Sequence, residues 1–345
     1  MERKMVYAPI LITTLCRSQH FIREMESLKK NGWACYTEVY VALDYPKVEN
    51  HRKGYEEILH YLETEDFSVF AALHVIKRPH NYGASANGIS ATNEISKRHD
   101  RWIRAEDDLE FSPNFIEYMD KCLMEYEHDE RVFAINGYSY PVRWVADENS
   151  TVVEQNGTFS AWGCGLWRDK IFRAREELGD RFLRNSFKAA LRDGRVKRMI
   201  PSRRYEYIIH ALSGNGPDLF TRCSDMALGI YMGLKNMCVI TPVVNKVKNW
   251  GFDGSGLYCG NIVKKTNRDS QTYDYENQPM DQDAQFAVVS GKSSWEANNQ
   301  KLAEFLYVYP NLRRRARAML CMYRLLGQER VERLYQKLKN RKDNS

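Results

Sequence analysis

Short β-branched runs alternate with amphipathic helical segments over the first hundred residues, and this alternation constrains the fold most strongly. The apolar run at 9–14 is followed by Ser18, a residue that caps helices, and then by Phe21, Ile22, Met25 and Leu28 on one helical face. The later segments are a strand at 38–43, a strand at 67–76, a helix at 84–97 and a strand at 102–105. Strands that alternate with helices assemble into mostly parallel sheets. The sequence therefore predicts an α/β fold, with a mostly parallel sheet flanked by helices.

Composition and charge limit the classes of protein to which the chain can belong. Its 345 residues, 43% of them apolar, are enough for one large domain or two joined domains. No run reaches the roughly 18 apolar residues that span a bilayer, and the apolar stretch at 6–15 lacks a signal-peptide cleavage site. Eight scattered cysteines, none in a Cys-x-x-Cys pair, fit a reducing cytoplasm and predict neither structural zinc nor a thiol nucleophile.

The positive charge of the chain is concentrated near its carboxyl end. Residues 313–342 hold eleven Lys and Arg against two Glu, a local balance of +9, so that the remainder of a chain with net charge +6 carries −3. An acidic remainder without an interleaved basic and aromatic pattern argues against nucleic-acid binding. Apolar residues recur at helical spacing through this segment, which predicts a basic amphipathic helix over 313–345. Such a helix either lies on an anionic membrane surface or packs its apolar face on the protein.

Charged side chains follow four successive predicted strands. They are Arg17, Asp44, His80 and the acidic triplet 106–108. In parallel sheets a ligand binds beyond the carboxyl ends of the strands, where these groups would meet. A guanidinium, a carboxylate, an imidazole and an acid cluster can together hold a nucleoside diphosphate and its divalent metal. Each group alone also has an ordinary interpretation as a surface charge, a turn former or a loop residue.

The acidic triplet is the most informative of these groups. Glu106, Asp107 and Asp108 repel one another, so a strand that ends on them makes sense mainly where a cation neutralises them. A solvated turn is the alternative. Ser112 and Pro113 then predict a helix start directly after the cluster, which is the order of strand, acids and helix expected of a binding site.

Three further positions after the acidic triplet are candidates. Ser255 lies among glycines at 251, 254 and 256, which permit close backbone approach to an anion, although a generic glycine loop fits equally well. Asp225 begins a predicted helix, where it acts either as a general base or as a helix-capping acid. Trp162 either stacks on a sugar face or anchors the core.

These blocks resemble GT-A-fold, nucleotide-sugar-dependent glycosyltransferases. The resemblance runs from about Ile10 to Cys259 and is similar to bacterial family-2 enzymes of capsule and lipopolysaccharide synthesis. The run from Glu106 to Phe115 also resembles eukaryotic N-acetylglucosaminyltransferase I. The resemblance implies a Rossmann-like GT-A sheet and a metal-dependent hexosyl- or N-acetylhexosaminyltransferase. Its donor would be a UDP-sugar, and its acceptor a hydroxyl of a cell-surface glycan or glycolipid.

The resemblance also implies a role for each candidate residue. Arg17 would face the nucleotide, Asp44 would accept from the base, and His80 would lie near the phosphates. Glu106 and Asp107 would contact the nucleotide sugar, and Asp108 would ligate Mn²⁺ or Mg²⁺. The remaining implied roles are Ser255 in a loop that closes over the phosphates, Asp225 as the base of an inverting transfer, and Trp162 on the acceptor side.

The predicted organisation follows from these assignments. A catalytic domain spans 1–263, with a nucleotide-binding half at 1–110 and an acceptor half at 111–263. A polar connector or lid follows at 264–312, and the basic helix follows at 313–345. The expected location is cytoplasmic, with peripheral attachment to the inner face of the plasma membrane.

Two rival functions remain open. A sugar-phosphate nucleotidylyltransferase shares a similar sheet but is expected to carry a glycine-rich loop after the first strand, where 13–18 has no glycine. A non-catalytic binding protein recruited to membranes by its tail would not need Asp107, Asp108 and Asp225 together.

Overall fold

The computed structural model describes residues 5–179, 181–214, 224–256, 278–291, 295–306 and 308–343. The chain divides into two compact units. Unit 1 comprises Met1–Glu154, Ser160–Ile171 and Val239–Ser294, and unit 2 comprises Gln155–Phe159, Phe172–Cys238 and Trp295–Ser345.

An eight-stranded mixed sheet forms the centre of unit 1. Its strands are β1 Ile10–Thr14, β2 Glu38–Leu43, β3 Ala72–Lys77, β4 Arg101–Glu106, β6 Val132–Asn136, β7 Val152–Gln155, β8 Cys164–Trp167 and β9 Cys238–Pro242. Their order across the sheet is β3-β2-β1-β4-β8-β6-β9-β7. A separate antiparallel pair joins β5 Leu109–Phe111 to β10 Val247–Asn249. Strands β1 to β4 pair in parallel, and β8 pairs antiparallel with both β4 and β6.

Helices connect and flank the parallel strands. They are α1 Ser18–Lys29, α2 Arg52–Thr64, α3 Ala84–Ile95 and α4 Phe115–Glu125. Strand β1 is buried because its Ile-Leu-Ile run sits in the middle of the sheet, and α1 turns Phe21, Met25 and Leu28 into the core. The α/β fold with a mostly parallel sheet and flanking helices is confirmed. Strand β3 begins at Ala72 rather than 67, and α4 begins at Phe115 rather than directly after Ser112.

A buried ion pair anchors the segment 278–291 within unit 1. The ammonium of Lys246, whose side chain is 1% exposed, pairs with Asp281 and donates to Asn114 Oδ1 at 3.0 Å. It also lies 4.5 Å from the ring centroid of Phe286, whose backbone N–H donates to Glu117 at 2.9 Å. This part of the predicted connector is therefore a fixed element of unit 1. Residues 264–277 of the connector lie outside the described residues.

Unit 2 is mainly helical in its described parts. Its helices are α5 Arg168–Gly179 (from residue 172 onward), α6 Phe182–Asn185, α7 Phe187–Arg192, α8 Arg195–Arg198, α9 Pro201–Ser213, α10 Ser224–Lys235, α11 Trp295–Phe305, α12 Pro310–Leu326 and α13 Gln328–Asp343. The basic segment predicted as one helix over 313–345 contains α12 and α13, separated at Gly327, whose φ of 78° favours glycine. Within the described ranges, none of the helices has the length and apolar character needed to cross a bilayer.

The two terminal helices pack on α9. Ala316, Met319 and Val331 are buried, and Arg184 of α6 donates to Glu332 at 2.7 Å. Gln336 of α13 donates to the backbone oxygen of Ser213 at 2.6 Å. One face of the basic segment is therefore committed to the fold of unit 2.

Asp120 on α4 makes the stability of the protein depend on pH. Its side chain is fully buried, Oδ1 accepts from the Ala8 N–H at 2.9 Å, and Oδ2 has no hydrogen-bond partner among the described residues. Burial raises its pKa to about 7, against the opposing Ala8 N–H and Arg101 charge. Between pH about 4 and 7 the folded protein keeps a proton that the unfolded chain releases, so stability falls as pH rises.

We expect Asp120→Asn to remove this part of the pH dependence. Wild type should lose up to about 1.4 kcal/mol of unfolding free energy per pH unit across that window through this group, and the variant should not. Urea unfolding at pH 5, 6, 7 and 8 measures the difference. Asp66→Asn, at an exposed carboxylate in the loop after α2, is the control and should keep the wild-type slope. Equal slopes in wild type and Asp120→Asn would contradict the assignment.

Candidate active site

The carboxyl ends of four parallel strands lie at one edge of the sheet in unit 1. The strand register places Thr13 beside Glu106 and Thr14 beside Leu43. It also places Leu43 beside Lys77 at the end of β3. The segments that carry Arg17, Asp44, His80 and 106–108 therefore leave the sheet at the same edge, as the sequence predicts.

Arg17 joins the end of β1 to the acid cluster at the end of β4. Its guanidinium contacts Asp107 through Nη2 and donates from Nη1 to Asp108 Oδ2 at 2.8 Å. The Thr14 hydroxyl donates to the second oxygen of Asp107 at 2.7 Å. Burial opposes the charge on Arg17, but the two carboxylates outweigh burial and raise its pKa. A forked guanidinium is suited to bridging two carboxylates in this way.

Asp108 keeps one carboxylate oxygen available. Oδ1 is buried and accepts no hydrogen bond from any described residue. Burial, with the neighbouring charge of Asp107, raises the pKa of Asp108 although Arg17 and His20 oppose the shift. A buried, unpartnered carboxylate oxygen is a suitable ligand for a hard divalent cation. Within the described residues, no three His, Cys, Asp or Glu side chains converge on a point where they could hold a metal ion.

A glycine-rich loop after β10 lies against this pair of acids. The antiparallel pairing of β10 with β5 brings Asn249 opposite Leu109, and the Trp250 N–H donates to the Asp108 backbone oxygen at 2.9 Å. Gly251 approaches so closely that a Cβ there would overlap Asp108 Oδ2. A Cβ at Gly256 would lie 3.3 Å from Arg17 Nη1. The loop thus touches both members of the ion pair.

Ser255 is an exposed member of the same loop. Its backbone N–H donates to Asp253 Oδ1 at 2.8 Å. The other oxygen of Asp253 pairs with His20 Nε2 at 2.9 Å, and Arg23 stacks over the Trp250 ring at 4.3 Å. Helix α1 therefore holds the near end of the loop in place. Residues 257–277 lie outside the described ranges.

Glu24 is a member of the site that the sequence analysis missed. It lies on α1, is fully buried, and neither carboxylate oxygen has a partner among the described residues. Burial raises its pKa well above the usual range, and the charges of Asp107 and Asp108 act in the same direction. The surroundings of Glu24 therefore favour its protonated form. A signal was present, because a glutamate stands on the apolar face of Phe21, Met25 and Leu28.

Asp44 orders the segment that carries His80. Its carboxylate is 3% exposed and accepts from four donors, namely Tyr45 N, Asn81 Nδ2, Tyr82 N and Gly83 N, at 2.8–3.2 Å. A nucleobase that binds Asp44 would therefore replace one of these donors. His80 is exposed, and its ring lies 4.8 Å from that of Tyr82.

Trp162 and Asp225 occupy different surroundings. Trp162, in unit 1, packs edgewise on Tyr138 at 4.7 Å and on Phe252 at 5.7 Å, and Phe252 follows Gly251 in the glycine-rich loop. Asp225 lies in the first turn of α10, in unit 2. Apart from Asp225, the sequence-predicted site residues thus all belong to unit 1.

Known structures resemble this chain at low sequence identity. No protein-family model matches the chain, and no curated protein matches it. It is similar to TarS of S. aureus, with 14% identity and a TM-score of 0.33 over 51% of this chain and 32% of that one. It is also similar to the mannosyltransferase PcManGT of Pyrobaculum calidifontis in complex with GDP-Man and Mn²⁺, with 11% identity and a TM-score of 0.36 over 67% and 73% of the two chains. S. aureus TarS 1-349 in complex with UDP-GlcNAc follows, with 12% identity and a TM-score of 0.34 over 50% and 48%. The chain spans about a third of the length of TarS, and resemblances at these TM-scores assign no activity.

We expect Gly251→Ala to disturb the acid cluster. The added Cβ would displace the Asp108 carboxylate from Arg17 and lower the unfolding free energy by about 1–3 kcal/mol, the usual cost of overpacking. Urea unfolding measures this change. Gly88→Ala on α3 is the matched control, because its Cβ would meet Thr13 Cγ2 at an ordinary 3.9 Å. A Gly251→Ala protein as stable as wild type would contradict the close approach.

Proposed function

We propose that this protein is a metal-dependent glycosyltransferase of the GT-A type. It transfers a sugar from a nucleotide-sugar donor, a UDP-sugar, to a hydroxyl of a cell-surface glycan or glycolipid such as capsule or lipopolysaccharide. The observation that supports this most directly is the contact of Arg17 with Asp107 and Asp108 beneath a glycine-rich loop, at the carboxyl edge of the parallel strands. Together these groups offer a cation, metal-binding carboxylate and backbone N–H groups to a diphosphate.

The donor would lie across this edge of the sheet. Arg17 would bind the diphosphate with its forked guanidinium, and the backbone of the loop that contains Ser255 would cover the phosphates. Asp108 would hold Mn²⁺ or Mg²⁺ through its unpartnered Oδ1. When bound, such an ion neutralises the charge that develops on the departing diphosphate. Asp107 and Glu106 would orient the sugar, and the segment ordered by Asp44, with His80, would receive the nucleoside.

The acceptor would approach from the side of Trp162. The ring of Trp162 packs on Phe252 in the glycine-rich loop, so that the acceptor would meet the loop that covers the phosphates. Asp225 would take the proton from the attacking hydroxyl as general base, and direct displacement at the anomeric carbon would invert its configuration. The new bond forms to the acceptor oxygen as the bond to the diphosphate oxygen breaks.

Asp108→Asn and Asp225→Asn test this activity with purified protein. Donor hydrolysis and transfer are followed across a panel of UDP- and GDP-sugars in Mn²⁺ and in Mg²⁺. Wild type should consume at least one donor, and Asp108→Asn should lower both rates by about 10²-fold or more, because a neutral amide binds a divalent cation far more weakly than a carboxylate does. Asp225→Asn should lower transfer by about 10²–10⁴-fold while donor binding is retained.

Two control variants are measured in the same way, and the two rival functions would give different results. Asp66→Asn in unit 1 and Asp193→Asn in unit 2 remove exposed carboxylates and should keep wild-type rates. A nucleotidylyltransferase would release pyrophosphate from a nucleoside triphosphate and a sugar phosphate, and a non-catalytic binding protein would consume no donor. Either result, or full activity in Asp108→Asn, would contradict the proposed function.

The carboxyl-terminal helices would attach the enzyme to the cytoplasmic face of the membrane. Leu325, Leu334 and Leu338 are exposed, with Leu325 at 78% and Leu338 at 62%. Exposed basic residues surround them, namely Arg324, Arg330, Arg333 and Lys337. Each cation near an anionic leaflet adds about 1 kcal/mol of attraction. The exposed residues of these two helices thus combine apolar and basic groups, as those of an interfacial helix do.

We expect the triple variant Arg330→Gln, Arg333→Gln, Lys337→Gln to lose most of its membrane binding. Flotation with phosphatidylserine-containing vesicles should show a partition coefficient about 10²-fold lower, and wild type should not float with purely phosphatidylcholine vesicles. Point variants are preferred to truncation because α12 and α13 cover α9. The triple variant Lys188→Gln, Arg192→Gln, Lys197→Gln removes the same charge from exposed sites elsewhere in unit 2 and should float like wild type. Equal flotation of the two triple variants would contradict membrane attachment by this segment.

A further inference from the structure

We propose that Arg17 is an internal counter-cation that occupies the acid cluster when no metal is bound and transfers to the donor's diphosphate when a metal takes its place. This rests on the proposed function for the identity of the diphosphate. The competition between Arg17 and the metal rests on the geometry of unit 1 alone. Metal binding and diphosphate binding would then be coupled through one side chain.

Of the four carboxylate oxygens of Asp107 and Asp108, three already have a partner. One oxygen of Asp107 contacts Arg17 Nη2, and the other accepts from Thr14 Oγ1 at 2.7 Å. Asp108 Oδ2 accepts from Arg17 Nη1 at 2.8 Å, whereas Oδ1 has no partner in the described part of the chain. A cation on Oδ1 would therefore share the Asp108 carboxylate with the Arg17 guanidinium.

The charges make this sharing unfavourable. Both carboxylates are about 5% exposed and the Arg17 side chain is 20% exposed, so solvent screens the group weakly. One guanidinium against two carboxylates leaves a negative balance, which attracts a second cation. A divalent ion on the same carboxylate also repels the guanidinium at a separation of a few ångströms. The ion would thus bind at the expense of the Arg17–Asp108 contact.

A diphosphate under the glycine-rich loop would provide new acceptors for the released guanidinium. Gly256 lies next to Nη1, and Gly251 of the same loop lies against Asp108, so Arg17 is enclosed between the acid cluster and the loop. A diphosphate under that loop would present oxygens to the Nη1 group that the metal had released. Arginine binds phosphate oxygens with the same fork that it uses for carboxylates. Arg17 would therefore exchange one anionic partner for another without leaving the site.

Mn²⁺ binding to the full chain tests the proposal without an activity assay. Free Mn²⁺ is measured by electron paramagnetic resonance during titration of wild type, Arg17→Gln and Arg23→Gln, with and without UDP. Arg23→Gln is the matched control, because Arg23 lies on the same helix but stacks on Trp250 rather than on the acids. Circular dichroism checks that each variant is folded, and Arg17→Lys, which keeps the charge but loses the fork, replaces Arg17→Gln if the latter does not fold.

Without UDP, Arg17→Gln should bind Mn²⁺ at least about tenfold more tightly than wild type, because the competing charge is gone. Arg17→Lys should lie between the two, and Arg23→Gln should match wild type. UDP should tighten Mn²⁺ binding to wild type and have a much smaller effect on Arg17→Gln. Unchanged or weaker Mn²⁺ binding by folded Arg17→Gln, or an equal UDP effect in both proteins, would overturn the proposal.

Mn²⁺ affinity and donor consumption together distinguish a failure of this proposal from a failure of the proposed function. A wild type that consumes a nucleotide sugar, with Arg17→Gln unchanged in Mn²⁺ affinity, overturns the exchange and leaves the glycosyltransferase standing. A tighter Mn²⁺ site in Arg17→Gln together with no consumption of any donor by wild type supports the competition and overturns the glycosyltransferase.

Discussion

Two adjacent aspartates are buried at the end of β4, and the site depends on how their repulsion is offset. Two carboxylates side by side in a region of low solvent access repel each other strongly unless a nearby cation offsets their charge. Arg17 supplies that cation and Thr14 supplies a hydroxyl, and both come from the end of β1. The parallel pairing of β1 with β4 is what brings these groups together. The strand order therefore brings the cation to the two buried carboxylates that need it.

The surroundings of the cluster are arranged to preserve this balance. The pairing of β5 with β10 places Gly251 against the Asp108 carboxylate, and this contact is possible because glycine has no side chain. Burial, together with the charges of Asp107 and Asp108, raises the pKa of Glu24, so that ionisation of this third buried acid is disfavoured. Directly before β10, the buried pair of Lys246 with Asp281 ties down the segment 278–291. Side-chain contacts thus fix the chain at both ends of β10.

Several parts of this arrangement were predictable from local pattern. The alternation of apolar runs and helical faces predicted the parallel strands, and the position of charged residues after each strand predicted which edge they share. The sequence analysis did not predict helix α2, although Tyr55, Ile58 and Tyr61 follow helical spacing. In the structure, Ile58 is the buried residue of this helix. Asp44 is predicted to accept from a nucleobase, and in the structure two of its four donors are the backbone N–H groups of Tyr82 and Gly83, almost forty residues further along the chain. No local pattern encodes such a partner.

The sequence by itself determined the fold class, the edge of the sheet that carries the site, and the residue types that gather there. It did so because strand and helix periodicity and strand-end chemistry are local properties of the chain. Only the tertiary structure decided that Arg17 bridges the two aspartates, that Glu24 is buried behind them, and that a glycine loop more than a hundred residues away completes the site. Those features depend on burial and on distances between remote segments, which set the electrostatics and exist only after the chain has folded.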